Sequence, residues 1–203
     1  DGSGCLWEGR TEPVEEAKNL LNAIVSPKDA EALYAEHLDW WKTYWMQSYI
    51  RMDPSDADLA VLQKYYYAAQ YELGSGIREG KIAAGLYGIW HTNDKANWHS
   101  DFHLNYNFIS TYYGLASANR VSMLLPAVEA LMDYVPQGIA NAGSVEQLNA
   151  VYAPHVRDLI EKGQVDPEHG IPDAILFPVA IGPYGMTLEH NSYHHETVNA
   201  PFS

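Results

Sequence analysis

Residues 85–114 read GLYGIWHTNDKANWHSDFHLNYNFISTYYG, and the middle of this stretch alternates between polar and apolar side chains. The polar positions are Asp101, His103, Asn105 and Asn107, and the apolar positions are Phe102, Leu104, Tyr106 and Phe108. Every second side chain of an extended backbone points to the same face, whereas residues two apart on an α-helix point in nearly opposite directions. The alternation therefore predicts an extended segment from Asp101 to Asn107 with one polar and one apolar face.

The polar face of this segment would bring a carboxylate, an imidazole and two amides together. Such a set can hold a polar small molecule and orient a water molecule. By itself the alternation favours an edge strand with a solvated face. Trp90 and Trp98 lie close by in the sequence, and because their flat aromatic surface suits a sugar ring, they shift the interpretation towards a sugar site.

Composition excludes several classes of partner. The chain has 203 residues, enough for one domain with a substantial core, and a net charge of −14 from 12 basic and 26 acidic residues. No basic patch is visible, which argues against nucleic acid or an anionic membrane as a partner. No apolar run approaches the roughly 20 residues of a membrane span. Cys5 is alone, so an internal disulfide is impossible.

The sequence leaves the cellular compartment open. The chain begins at Asp1 rather than at a methionine. A secreted or periplasmic location is expected if a signal peptide has been removed.

Start signals predict two helices in the first quarter of the chain. Pro13 at a first-turn position begins a short amphipathic helix. Ser26, followed by Pro27 and Asp29, begins a second helix that should run to about Arg51. Its aromatic and apolar positions are Tyr34, Leu38, Trp40, Trp41, Tyr44, Trp45 and Tyr49. So wide a stripe predicts a helix that is buried on most sides.

Further helices are predicted on both sides of the alternating stretch. A capping pair at Ser55 and Asp58 begins a helix that stops at Gly74. Helical spacing resumes near Phe108 and is interrupted around residues 114–119.

Two more helices follow this interruption. The apolar stripe over residues 121–135 contains Pro126, which predicts a kink or a late start. Ser144 and Gln147 form a capping box for the last helix, which Gly163 ends.

The resulting fold is mainly α, built from stacked helical hairpins. Residues 1–12 are expected to form a loose arm, and residues 13–163 the helical portion with a site loop over 85–108. Residues 164–203 are expected to be irregular and to lean on the helical portion or on parts absent from the chain. Within them, residues 174–181 are a possible strand.

The run GLYGIWHTNDKANWHSDFHLNYN, followed by an apolar helix with Pro126, resembles family 95 glycoside hydrolases. That family carries L-Q-G-I-W-N, then W, then Y-H-x-N-x-N ahead of a toroid helix. An upstream helix carries the expected residues in the expected order: His37, Trp41, Trp45 and Arg51. The likeness spans residues 30–140. It implies an (α/α)6 toroid, of which this chain is a part, and an inverting hydrolysis in which two asparagines help an aspartate to activate water.

The resemblance also implies roles for individual residues. Asn105 and Asn107 match the asparagines that orient the water, His103 matches the histidine of the motif, and Trp90 matches its tryptophan. Trp98 completes the aromatic surface proposed for the substrate.

Departures from the family pattern leave the substrate open. Tyr87 replaces the glutamine, His91 replaces the asparagine beside the sugar pocket, and residues 110–114 read S-T-Y-Y-G instead of M-N-Y-W-P. The family's general acid and its water-contacting aspartate would lie beyond residue 203. The resemblance therefore implies a fragment, with the remainder of the toroid on the same or another chain.

Inversion requires two carboxyl groups about 6.5–9.5 Å apart. Asp101 is the only carboxylate on the polar face, where it either acts directly or orients His103, while Glu189 and Glu196 are remoter candidates. Neither histidine cluster, His91/His99/His103 or His190/His194/His195, matches a metalloprotease motif. We therefore predict no metal and no cofactor.

Two alternatives to a hydrolase remain open at this point. A polysaccharide lyase of toroid type would use His103, Asn105, Tyr106 and Tyr112, but it needs cations for the uronate, and the region offers only Lys81, Lys95 and Arg120. The second alternative is a non-catalytic sugar-binding or structural domain.

Overall fold

The computed structural model describes residues 13–88, 95–171 and 174–188. The helices in these ranges are α1 (Pro13–Asn22), α2 (Pro27–Gln47), α3 (Ala57–Gly76), α4 (Asn107–Ser110), α5 (Tyr113–Ser117), α6 (Leu125–Ala142) and α7 (Val145–Glu161). The strands are β1 (Phe102–His103) and β2 (Ala180–Ile181). The predicted mainly α class is confirmed. No helix in the described part of the chain is long and apolar enough to cross a bilayer.

The chain divides between Ala68 and Ala69 into two compact units. The first unit begins with α1, since the predicted arm over residues 1–12 lies outside the described residues. Helix α2 starts as predicted, because the Ser26 hydroxyl accepts a hydrogen bond from the Asp29 amide and the Asp29 carboxylate accepts one from the Ser26 amide. The Ser26 hydroxyl also donates to the Asp29 carboxylate at 2.8 Å, and this hydrogen bond, together with the one from the Ser26 amide, lowers the pKa of Asp29. The helix ends at Gln47, earlier than predicted.

The prediction that α2 is buried on most sides is wrong. Tyr44 is the buried residue of this helix, whereas Tyr34 is 64% exposed. The aromatic side chains contact each other along the helix instead, with Trp41 stacked on Trp45 at 5.7 Å between ring centroids. Trp45 also lies 5.6 Å from the ring of Tyr67 on α3. A wide aromatic stripe can thus pack within one helix face without being enclosed.

Helix α3 starts at a different cap from the predicted one. The Asp56 carboxylate accepts hydrogen bonds from the amides of Asp58 and Leu59. Ser55 is not the cap, because its amide and hydroxyl both donate to the carboxylate of Asp53, at 2.9 and 2.7 Å.

The predicted stop of α3 is also too early. The helix continues to Gly76, and Gly74 is a buried residue inside it. The Ile77 amide donates to the Leu73 carbonyl at 2.9 Å, which carries the helical hydrogen-bonding pattern past Gly74.

Helix α6, in the second unit, presents different residues on its two sides. Its buried residues are mostly small: Pro126, Ala127, Ala130, Tyr134, Gly138 and Ala142. Its exposed apolar residues are large: Leu125, Val128, Met132 and Ile139. Pro126 lies in the first turn, where its missing N–H leaves no hydrogen bond unmade, so the predicted late start is confirmed.

The segment after α7 follows the buried side of α6. The Leu176 amide donates to the Gly138 carbonyl at 3.0 Å, and a Cβ atom on Gly138 would lie 2.6 Å from Ile175 Cγ2. The irregular backbone at residues 175–176 can therefore lie close to α6 because the residues on that side of the helix are small. Of the strand predicted over residues 174–181, only β2 forms, because these contacts with α6 replace ladder partners.

The end of α7 and the turn after it follow local sequence signals. Gly163, with φ of +66°, terminates the helix as predicted. The Asp166 carboxylate then accepts hydrogen bonds from the amides of Glu168 and His169, each at 2.8 Å, and these bonds lower the pKa of Asp166. Its Oδ1 atom also lies 3.1 Å from His169 Nδ1, in an exposed pair.

Candidate functional site

The candidate site is built on β1. Phe102 is opposite Ile181 and His103 is opposite Ala180 in the antiparallel pair, and the Leu104 amide donates to the Val179 carbonyl at 2.8 Å. Phe102 and Leu104 are buried, so the predicted apolar underside forms here. The pairing with β2 fixes the backbone that carries the polar residues.

The extended segment is shorter than predicted. Extended backbone ends at His103, residues 104–106 form a turn, and Asn107 is the first residue of α4. The turn brings Phe108 back onto Phe102, with 4.7 Å between stacked ring centroids. This aromatic contact, which alternation cannot reveal, ends the strand, and the prediction of an extended chain through Asn107 is wrong.

Asp101 and His103 do meet as the alternation predicts. His103 Nδ1 lies 3.2 Å from Asp101 Oδ1 and 3.4 Å from Oδ2. The Asp101 side chain is 0% exposed and the His103 side chain 12% exposed. The indole ring of Trp98 lies 6.3 Å from the imidazole ring, tilted by 57°, and is about half exposed. A flat, half-exposed aromatic surface thus lies next to the ring of the histidine.

The two asparagines lie on the turn and helix that follow. Asn105 is half-buried within the turn, and Asn107 is exposed at the start of α4. They do not continue a straight row with Asp101 and His103. The predicted site residues Trp90 and His91 lie outside the described residues.

A left-handed turn precedes the site. Trp98, His99 and Ser100 have φ values of +47°, +55° and +52°, a conformation that is costly for residues other than glycine. The Leu86 amide donates to the Asp101 carbonyl at 2.9 Å, and a Cβ atom on Gly85 would collide with the Ser100 carbonyl. Sequence reasoning missed this turn, for which Gly85 was the available signal.

Two of the residues considered for a lyase, Tyr112 and Arg120, are engaged in the core, whereas Tyr106 is exposed. The Tyr112 hydroxyl donates to the Ala84 carbonyl at 3.4 Å, and burial raises the pKa of this hydroxyl. Arg120 is buried, and its guanidinium donates to the Ala118 carbonyl. Neither a phenolate base nor a free cation for a uronate is offered by these two side chains.

The described residues contain no group of three or more His, Cys, Asp or Glu side chains that could hold a metal ion. The second histidine cluster, with the remoter carboxylate candidates Glu189 and Glu196, lies outside them.

Comparison with protein families gives a match over residues 35–181, more than half of the chain, to the model described as the glycosyl hydrolase family 95 catalytic domain. Neither the search of curated proteins nor the search of solved structures finds a significant match. The matched range runs from within α2 to the end of β2 and includes the whole candidate site.

Proposed function

Because the chain belongs to glycoside hydrolase family 95, an inverting family with an α/α toroid fold, we propose that it carries the water-orienting part of an inverting hydrolase that acts on an oligosaccharide or glycan. The observation that carries this proposal is the pairing of His103 with buried Asp101 at the end of β1, with Asn105 in the turn that follows and Asn107 at the start of α4. The general acid would come from elsewhere in the toroid.

Because their side chains are amides, the two asparagines can position the attacking water but cannot deprotonate it. An amide takes up no proton at neutral pH, so an asparagine alone cannot be the base. Its carbonyl oxygen can accept a hydrogen bond from the attacking water, while a carboxylate takes the proton. Asn107 is exposed and can approach a bound ligand directly. Asn105 is half-buried and its Oδ1 atom is covered, so a water molecule reaches this atom only after it is uncovered.

Aromatic surface supports a sugar as the substrate. The Trp98 ring is 51% exposed beside the imidazole of His103. Tyr106 and Tyr113 are also exposed, with 6.5 Å between their ring centroids. Aromatic faces beside hydrogen-bonding groups recognise the apolar and polar sides of a sugar ring together.

The experiment is kinetic, on the protein as its reading frame encodes it. A panel of p-nitrophenyl α- and β-glycosides identifies a substrate, and NMR of the first-formed product identifies its anomer. Asn105→Ala and Asn107→Ala should each lower kcat by roughly a hundredfold or more, because they disturb activation of the water. Asn19→Ala, on the exposed side of α1, is the matched control and should leave kcat unchanged.

Two results would contradict the proposal. Unchanged kcat in both asparagine variants would remove their role, and a product with retained configuration would remove inversion. Sugar binding in calorimetry without hydrolysis of any glycoside would identify a non-catalytic domain instead.

A further inference from the structure

Asp101 and His103 are two residues apart on extended chain, so their side chains leave the backbone on the same side. His103 Nδ1 faces both carboxylate oxygens, at 3.2 and 3.4 Å. The carboxylate has no exposed surface, whereas the imidazole keeps 12% exposure. The imidazole is therefore the member of the pair that a ligand in solution can contact, and the carboxylate supports it from the protein interior.

The position of the imidazole hydrogen decides which atom donates in this pair. When the carboxylate is ionised it only accepts hydrogen bonds, and Nδ1 is then the donor in this contact. In a neutral ring Nε2 then carries no hydrogen and can only accept. We propose that Asp101 is a positioning residue that holds His103 in this tautomer, so that Nε2 accepts a hydrogen bond from a hydroxyl group of the sugar. The identity of the ligand rests on the proposed function, but the tautomer does not.

An acceptor at Nε2 makes the site selective. A sugar hydroxyl can donate to it, whereas a fluorine substituent or an ionised uronate carboxylate cannot. The contact therefore requires a hydroxyl group at the sugar position that faces Nε2, and it places Asp101 one step away from the reacting atoms rather than in contact with the water.

The tautomer can be measured directly in the 203-residue chain. Nitrogen-15 NMR of histidine-labelled protein distinguishes a protonated Nδ1 from a protonated Nε2, and His103→Gln identifies the resonance by its loss. We expect the Nδ1–H form in the unsubstituted chain and a mixture of tautomers in Asp101→Asn. Finding a hydrogen on Nε2 in the unsubstituted chain, in a neutral or a doubly protonated ring, would overturn the proposal, even if Asp101→Asn failed to fold.

Kinetics of the encoded protein separate positioning from direct catalysis. With the best p-nitrophenyl glycoside of the panel, Asp101→Asn should lower kcat/KM about tenfold, the scale of a lost supporting contact, mainly by raising KM. A loss confined to kcat would make Asp101 the base and overturn the proposal. Asp166→Asn is the matched control, since Asp166 contacts His169 Nδ1 at 3.1 Å in an exposed pair, and it should change neither constant.

The two proposals fail separately. If the Nδ1–H tautomer is found but no glycoside is hydrolysed, the role of Asp101 stands and the hydrolase function falls. If hydrolysis is observed with the opposite tautomer, the hydrolase function stands and the role of Asp101 falls.

Discussion

The hydroxyl oxygen of Tyr134 on α6 lies 3.2 Å from Oγ1 of Thr187, which follows it by 53 positions in the chain. The Asn141 amide also donates to the Tyr134 hydroxyl, at 2.9 Å. The ring of Tyr134 is fully buried and lies 5.4 Å from that of Phe177. One side chain thus connects α6 with the C-terminal segment through one hydrogen bond and an aromatic contact, while Asn141, on the same helix, holds its hydroxyl.

Tyr134→Phe should destabilise the fold, because it removes the hydroxyl from this network and leaves Thr187 and Asn141 without that partner. Loss of a buried hydrogen-bonding group costs about 1–3 kcal/mol of unfolding free energy. Urea unfolding followed by circular dichroism measures the change. Tyr65→Phe, at a tyrosine that is 70% exposed, is the control, and equal effects of the two variants would contradict the network's importance.

Gly170→Ala should cost more stability than Gly163→Ala. Both glycines have positive φ values, +68° and +66°, so both substitutions cost about 1–2 kcal/mol of backbone strain. At Gly163 a new Cβ meets nothing within 4 Å, whereas at Gly170 it would collide with the carbonyl of Ala142. The difference in unfolding free energy between the two variants isolates that collision, and no difference would show that the turn at Gly170 shifts freely.

Alkaline pH should destabilise the fold through Tyr112. Burial raises the pKa of its hydroxyl above the ordinary value of about 10. A group whose folded pKa is raised contributes stability that is complete below the unfolded pKa and is lost as the pH rises towards the folded pKa. The thermal midpoint should therefore fall above about pH 10.

The Tyr112→Phe variant tests this assignment, because it has no hydroxyl to titrate. The fall in midpoint between pH 9 and pH 11 should be smaller in this variant than in the unsubstituted chain. A parallel fall in both proteins would assign the effect to other groups.

Gly85→Ala should disturb the left-handed turn beside the site. A Cβ atom on Gly85 would collide with the backbone carbonyl of Ser100. It would also lie 3.0 Å from the hydroxyl oxygen of the Ser100 side chain. The hydrogen bond from Leu86 to Asp101 would have to break, lowering the thermal midpoint and, in the encoded protein, kcat/KM. Gly114→Ala is the control, since it meets nothing within 4 Å on α5, and an equal response of both variants would contradict the collision.

Local signals predicted where elements begin, because caps act over three or four residues. Ser26, Pro126 and Ser144 each mark a helix start that the structure confirms. The exception at Ser55 arises because Asp53 competes for its hydroxyl. The first residue of a helix depends on its neighbours in the sequence, and its position can therefore be predicted from the sequence.

Burial and chain reversal could not be predicted in the same way. The exposure of α2 depends on which elements pack against it, and the turn before Asn107 depends on the contact between Phe102 and Phe108. At the site, alternation correctly paired Asp101 with His103, since that relationship spans two residues. Alternation failed at residues 104–107, where tertiary packing determines the direction of the backbone.

The left-handed turn at residues 98–100 makes this part of the chain a point of local frustration. Glycine at His99 or Ser100 would relieve backbone strain of about 1–2 kcal/mol per residue, more than the roughly 0.5–1 kcal/mol of chain entropy that glycine loses on folding. Such a variant would gain thermal resistance, while the backbone next to Trp98 would gain access to further conformations. Selection for thermal stability would therefore favour glycine in this turn, whereas selection for a well-defined ligand contact would favour the residues that are present.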